Sequence, residues 1–198
     1  MTKKAVLFQA IGEAVIPLLG FFFWEWSLYF ILLFFFIDLI VTEFFLYLKG
    51  RKIVQYQNNQ EQNTNFRKFG IISLVLMVGV IISSHFGIFF IERGIVFKEE
   101  IVAFLVYEEL DLPIAQGYII FPLVILGNYT QYHTFFIKQR KELFYRVEHI
   151  YKIRIRALFL AISGAILSIF IAVIFQFEEA IYLILLLAVK FFVDLKFR

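Results

Sequence analysis

The stretch LYFILLFFFIDLIVTEFFLYL, residues 28–48, decides the fold, because its only charged side chains are Asp38 and Glu43. A helix rises about 1.5 Å per residue, so about 20 apolar residues cross the roughly 30 Å of hydrocarbon in a bilayer. Residues 28–48 are therefore predicted to span a membrane. Working outward, five more stretches of comparable character cover residues 5–23, 69–91, 113–136, 157–175 and 180–197. Only Trp24-Glu25-Trp26-Ser27 separates the first pair and only Gln176-Phe177-Glu178-Glu179 the last, so each pair is expected to be an antiparallel hairpin. The predicted fold class is all-α, a polytopic membrane helical bundle of six transmembrane helices forming one domain over residues 1–198.

Composition points the same way. Hydrophobic residues make up 62% of the chain and the mean hydropathy is +0.83, above the roughly even balance of soluble domains. Cysteine is absent, which excludes disulfides, thiolate metal sites and cysteine nucleophiles. After Met1-Thr-Lys-Lys no small-residue cleavage pattern precedes the end of the first apolar stretch, so a retained first helix is expected, not a removed leader. All basic residues but Arg93 and Lys98 fall in segments at one side of the predicted spans. By the positive-inside rule that side is cytoplasmic, with both termini inside, as in a bacterial inner-membrane protein. A basic inner face suits anionic lipid headgroups, and the lipid bilayer is the expected partner; no nucleic acid is needed to explain it.

Between the second and third spans, residues 51–65 are rich in Gln and Asn and read as a mobile inner linker. Leu143, Val147, Ile150 and Tyr151 follow helical spacing and predict an amphipathic interfacial helix over residues 140–151. Outside, residues 94–112 place Ile101, Phe104 and Leu105 beside acids and suggest a short surface helix. Helices in lipid associate by close approach, so small residues mark contact faces. Gly79, Ser83 and Gly87 form such a stripe on the third span, and Ala161, Ala165, Ser168 and Ala172 another on the fifth. Trp24, Trp26 and Tyr29 sit where an outer aromatic belt of interface anchors belongs.

Ionisable groups at depth are costly in lipid and single out candidate sites. Glu13, Asp38, Glu43, His85, Lys190 and Asp194 lie within or near apolar spans. Counting along the helices puts Glu13 about 12 Å from the inner boundary and Asp38 and Lys190 about 15 Å from the outer one, so these three can share the midplane. Lys190 can neutralise Asp38 or Glu13, or pair along its own helix with Asp194. Pro17 frees the carbonyl of Glu13, which places a bend beside an acid; no second broken helix is read to match it as an inverted-repeat transporter requires. His85, Glu92, Asn128 and His133 contain no His-x-x-x-His or Glu-x-x-His pair, so no metal site is assigned. Ser163-Gly164 lacks a nucleophile motif, no phosphate-binding loop occurs, and neither catalytic residues nor a cofactor are assigned.

With these residues identified, the chain resembles the bacterial polytopic membrane proteins grouped as domain-of-unknown-function family 6498. Pro17-Leu18-Leu19-Gly20 followed by Trp26 and then Asp38 resembles the family's opening, in which the acid is usually Glu. His85-Phe86-Gly87 resembles its His-Tyr-Gly element, and Lys190 with Asp194-Leu195 its closing Lys and Asp-Leu. Glu92 and Asn128 stand where the family favours histidine, which implies that any metal site built from those histidines is lost or altered here. The likeness implies six helices and singles out Asp38, His85, Lys190 and Asp194; it implies no activity.

The leading functional expectation is a non-enzymatic subunit of a larger membrane complex, with another membrane protein as partner. The alternatives are an ion- or proton-coupled transporter using Glu13, Asp38 and Lys190, and a metal-dependent membrane enzyme centred on His85.

Overall fold

A computed structural model describes residues 3–92, 94–106, 116–175 and 177–197. The chain is all-helical among the described residues: α1 (Lys3–Phe23), α2 (Leu28–Gln57), α3 (Gln60–Ile91), α4 (Phe97–Val106), α5 (Gln116–Gln131), α6 (Val147–Phe175) and α7 (Glu179–Phe197). Helices α2, α3 and α6 are each long and apolar enough to cross a membrane. At 30, 32 and 29 residues they run roughly 45 Å, longer than the hydrocarbon they would cross. Helix α2 is apolar all round and lies at the centre, touching α1, α3, α4, α5 and α6.

Local signals explain why α2 and α3 extend beyond their apolar spans. The Ser27 hydroxyl caps α2 by accepting from the Phe30 N–H at 3.0 Å. At the far end Asn58 adopts φ 42°, ψ 42° and its N–H bonds the Val54 carbonyl. Asn tolerates this left-handed conformation because its short side chain stays clear of the backbone. Asn59 then caps α3, its side chain accepting from the Glu61 N–H at 2.9 Å. Residues 51–65 are thus no mobile linker: α2 reaches Gln57, α3 starts at Gln60, and two asparagines make the whole turn.

The expected interfacial helix over residues 140–151 is also replaced. Helix α5 continues as a π-helical turn, Tyr132–Ile137, in which the Lys138 N–H reaches back to the His133 carbonyl. Arg140 takes a positive φ of 48°, a short 3-10 turn spans Lys141–Leu143, and α6 begins directly at Val147. The apolar residues that suggested a separate helix, Val147 and Tyr151, are the buried first turns of α6. Pro122 lies inside α5 and removes one backbone hydrogen bond there, as Pro17 does inside α1, and the π turn follows at the end of α5.

Helices α3 and α6 form the most extensive pair and run parallel, since Phe66 meets Tyr151, Gly79 faces Ile162 and Gly87 faces Ile169. The α3 stripe of Gly79, Ser83 and Gly87 therefore does pack on α6, but onto isoleucines. Of the α6 stripe, Ala161, Ala165 and Ser168 line a cavity, and only Ala172 is buried in a core cluster. On α6 the small residues thus divide between a packed position, Ala172, and positions that border a cavity.

Two apolar clusters hold the bundle. One gathers Trp26, Tyr29, Phe30, Ile88, Phe104 and Leu183 at one end. The other gathers Leu46, Ile53, Phe136, Val147 and Tyr151 towards the Asn58 end. Trp26 is 7% exposed and Tyr29 0%, so these two are core residues and not interface anchors; Trp24 packs partly buried against the same cluster. The outer faces are apolar instead: Ile71, Val75, Phe86, Phe159 and Phe170 are all exposed. A soluble monomer rarely displays such continuous apolar surface, whereas hydrocarbon accommodates it.

Candidate functional site

The space between the two apolar clusters is a cavity of about 440 Å³. Asp38 and Thr42 of α2 stand one turn apart on the face that looks into it, as i and i+4 positions must. Asn128 enters from α5 just before the π turn, and Lys190 from α7. Lys190 Nζ lies 3.4 Å from Asp38 Oδ2. Asn128 Nδ2 donates to Asp38 Oδ1 at 3.4 Å and to the Val124 carbonyl at 3.1 Å, while the Thr42 hydroxyl donates to Asn128 Oδ1 at 3.2 Å. Three helices thus converge on one carboxylate, and Lys190 also lies 5.5 Å from the centre of the Phe35 ring.

A second ion pair sits about one turn along α2. Arg154 Nε donates to Glu43 Oε2 at 3.1 Å, and its Nη2 to the Leu39 carbonyl at 3.2 Å. The guanidinium is planar and multiply bonded, so it fastens α6 to α2, whereas the Lys190 ammonium is a point charge on a flexible stem. The one-turn spacing of these pairs keeps charge neutralised at depth, as a low-dielectric setting demands. Lys49, Lys141 and His149 line the same cavity towards the Asn58 end. Ala161 and Ala165 border the cavity with short side chains, while Gly164 lets Val189 of α7 pack directly against α6.

The remaining candidates lie elsewhere. His85 Nδ1 donates to the Ile81 carbonyl at 2.8 Å, and its Nε2 is 2.8 Å from the Tyr29 hydroxyl. With a carbonyl able only to accept, the neutral ring leaves Nε2 as the acceptor of the Tyr29 O–H. Both nitrogens are engaged, and the ring stacks on Phe36 at 5.2 Å. His133 stacks on Tyr129 instead, and no group of three His, Asp or Glu side chains is placed to hold a metal among the described residues. The side chains of Glu13 and Asp194 lie outside the described residues, as do positions 107–112 of the outer segment and 113–115 of the fourth predicted span; within the outer segment α4 packs Phe104 on Phe30.

Beyond the end of α3, Glu92 accepts from the Leu28 N–H and leaves Oε1 buried without a hydrogen-bond partner. Burial, reinforced by Glu179 and Glu100, pushes its pKa up to about 7. Glu100 itself accepts from the Ser27 hydroxyl at 2.6 Å.

Sequence reasoning identified Asp38, Glu43 and Lys190 but missed their neighbours. Arg154 was legible only as one more inner cation, although its place at the first apolar turn of α6 is the signal of a buried partner. Asn128 was noted only beside His85, Glu92 and His133 as part of a metal group, not as a partner of Asp38, and the neutral Thr42 was not singled out. In comparisons with protein families, curated proteins and solved structures, the chain matches none, so the geometry of this cavity carries the functional argument.

Proposed function

We propose that the chain is an ion- or proton-coupled carrier of a bacterial inner membrane, spanning it six times with both termini in the cytoplasm, and that the Asp38–Lys190 pair is its switching element. The observation that carries this reading is that a cavity reaches an ion pair built between two different helices. Paired, the two groups cancel each other's charge at depth. A proton or cation on Asp38, or an anion on Lys190, replaces the internal partner, and α2 and α7 lose the contact that joins them there. A ligand that binds one arrangement better than the other shifts the equilibrium between them, which is the requirement for coupling. The prolines inside α1 and α5, and the grouping of basic residues at the Asn58 end, support the same reading.

The subunit reading draws on short outer connections and the lack of a soluble domain or catalytic signature, and on small-residue faces suited to helix association. Those faces are used within the chain, by α6 against Gly79 and Gly87 and by the cavity at Ala161 and Ala165. An enzyme centred on His85 has both ring nitrogens committed to hydrogen bonds.

Proteoliposomes loaded with a pH-sensitive dye and driven by a potassium diffusion potential test the carrier directly. Wild-type vesicles are expected to move protons faster than empty ones, with Asp38→Asn and Lys190→Met falling to the empty-vesicle rate. Equal flux in all three proteins removes the proposal. The absence of cysteine allows single-cysteine labelling with an impermeant maleimide, in which Asn59→Cys is expected to react only from the cytoplasmic side.

A further inference from the structure

Each cation that lines the cavity is already engaged: Arg154 with Glu43, Lys190 with Asp38, Lys141 over the Tyr145 ring, and Lys49 in an interaction of its own. A ligand of one charge is therefore held here only by taking a group from its present partner. Of the two ion pairs, Asp38–Lys190 is the one suited to exchange. Its 3.4 Å separation is longer than the about 2.7–2.9 Å of a tight bond between charges, and the ammonium sits on a flexible stem. Arg154 holds Glu43 at 3.1 Å and is anchored a second time on the Leu39 carbonyl. The Lys190 and Asp38 side chains keep 20% and 17% of their surface exposed, and both line the cavity, so a molecule within it can reach them. A volume of about 440 Å³ falls in the range of small-molecule sites, which typically run from about 300 to 1,000 Å³.

The pair has a different neighbour on each side. One turn along α2 towards the Asn58 end stands Thr42, bonded to Asn128. One turn towards the Trp26 end, Phe35 of α2 and Leu186 of α7 line the cavity, with Leu32 a further turn along α2. We infer that this cavity binds a free α-amino acid with an apolar side chain, its ammonium on Asp38, its carboxylate on Lys190 and its side chain among Leu32, Phe35 and Leu186. A ligand with a single charge takes one member of the contact and costs the other the bond it has here, which is expensive at low dielectric. A zwitterion replaces both members at once and keeps the charges matched. An apolar amino acid carries its two charges at one end and hydrocarbon at the other, the same division that the pair and its Trp26 side present. The inference rests on the carrier reading and deepens it by naming the cargo class, since the cation for Asp38 and the anion for Lys190 arrive as one molecule.

The test is equilibrium binding of radiolabelled leucine, valine and phenylalanine to the full chain in phosphatidylglycerol nanodiscs, which hold no zwitterionic lipid, with empty discs subtracted. Saturable binding of leucine is expected. Leucinamide keeps only the ammonium, 4-methylpentanoate keeps only the carboxylate, and glycine lacks the side chain; each is expected to compete about tenfold or more weakly than unlabelled leucine. Asp38→Asn and Lys190→Met are each expected to weaken leucine binding about tenfold or more, the loss of one charge-assisted bond. The competitions use the unaltered chain, so they decide the matter even where a variant fails to fold. No saturable binding of any of the three amino acids, competition by leucinamide, 4-methylpentanoate or glycine as strong as by leucine, or binding unchanged in both variants overturns the inference. Leucine binding without proton flux keeps the site and removes the carrier; proton flux without binding of any of the three keeps the carrier and removes the amino acid.

Discussion

Both ends of the bundle place a glycine beneath an aromatic side chain, Gly20 under Trp26 and Gly50 under Phe66, yet they are tied by different chemistry. At the Trp26 end three acids from different elements, Glu92, Glu100 and Glu179, come together, and burial with the charge of the other two raises the pKa of Glu92 to about 7. At the Asn58 end the fastening is by amides: Gln57 Nε2 donates to the Tyr145 carbonyl at 2.9 Å, Gln62 Oε1 accepts from the Val147 N–H at 3.0 Å, and Asn65 donates to Glu148 at 2.6 Å. Amides do not change charge with pH, whereas clustered carboxylates do. The Gln57 and Gln62 bonds, amide to backbone, are therefore a clasp without a titrating group, whereas the other end depends on its protons.

The largest effect is expected where the glycines differ. In Gly20→Ala the new methyl overlaps the fused indole of Trp26, which is itself in the core, and a loss of about 3 kcal/mol is expected. Gly50→Ala brings its methyl 2.6 Å from Phe66 Cε2, a single ring at the cluster edge, and about half that loss is expected. Unfolding in sodium dodecyl sulfate mixtures measures both, and equal losses erase the distinction. Next comes the clasp. Gln62 is 2% exposed, and Gln62→Ala leaves the Val147 N–H buried without its acceptor, at a cost of about 2 kcal/mol.

The proton-dependent end is sharpened by Glu92→Gln. Because the folded-state pKa of Glu92 is raised, its contribution is full below the ordinary carboxylate range and is lost as pH rises through about 7. Wild-type melting temperature is accordingly expected to fall between pH 5 and pH 8, and Glu92→Gln to flatten that fall and melt about 4 °C higher at pH 8. A slope identical in the two proteins places the pH sensitivity elsewhere. Smallest of all, Asn58→Gly is expected to stay within about 0.5 kcal/mol of wild type because glycine also accepts positive φ, while Asn58→Val costs about 1 kcal/mol or more.

Helical content and the segregation of cations to one end were legible in the chain because both follow from simple periodicity and charge. The lengths of α2 and α3 were not. Gln57, Gln62 and Asn65 look like linker composition, yet each satisfies a backbone or side-chain group across the bundle, and that is a tertiary fact. Trp26 and Tyr29 misled for the opposite reason, since an aromatic near a span end reads as a belt until Gly20 is seen to make room for the indole. At the site, charge announced Asp38 and Lys190, whereas the bonds that tie Asn128 to Asp38 and Thr42 emerged only when α2 and α5 were placed side by side. Pro122 was visible in the sequence, but the π turn that follows it breaks no composition rule.

The Asn58-Asn59 turn leaves no slack between α2 and α3, and Gln62 and Asn65 fasten the start of α6 to the same corner. These three rods are thereby bonded to one another at a single corner. Helix α5, with its proline and its π turn, and helix α7 border the space beside Asp38 without sharing those bonds. A rearrangement of that space is therefore expected to fall on α5 and α7 before it disturbs the corner.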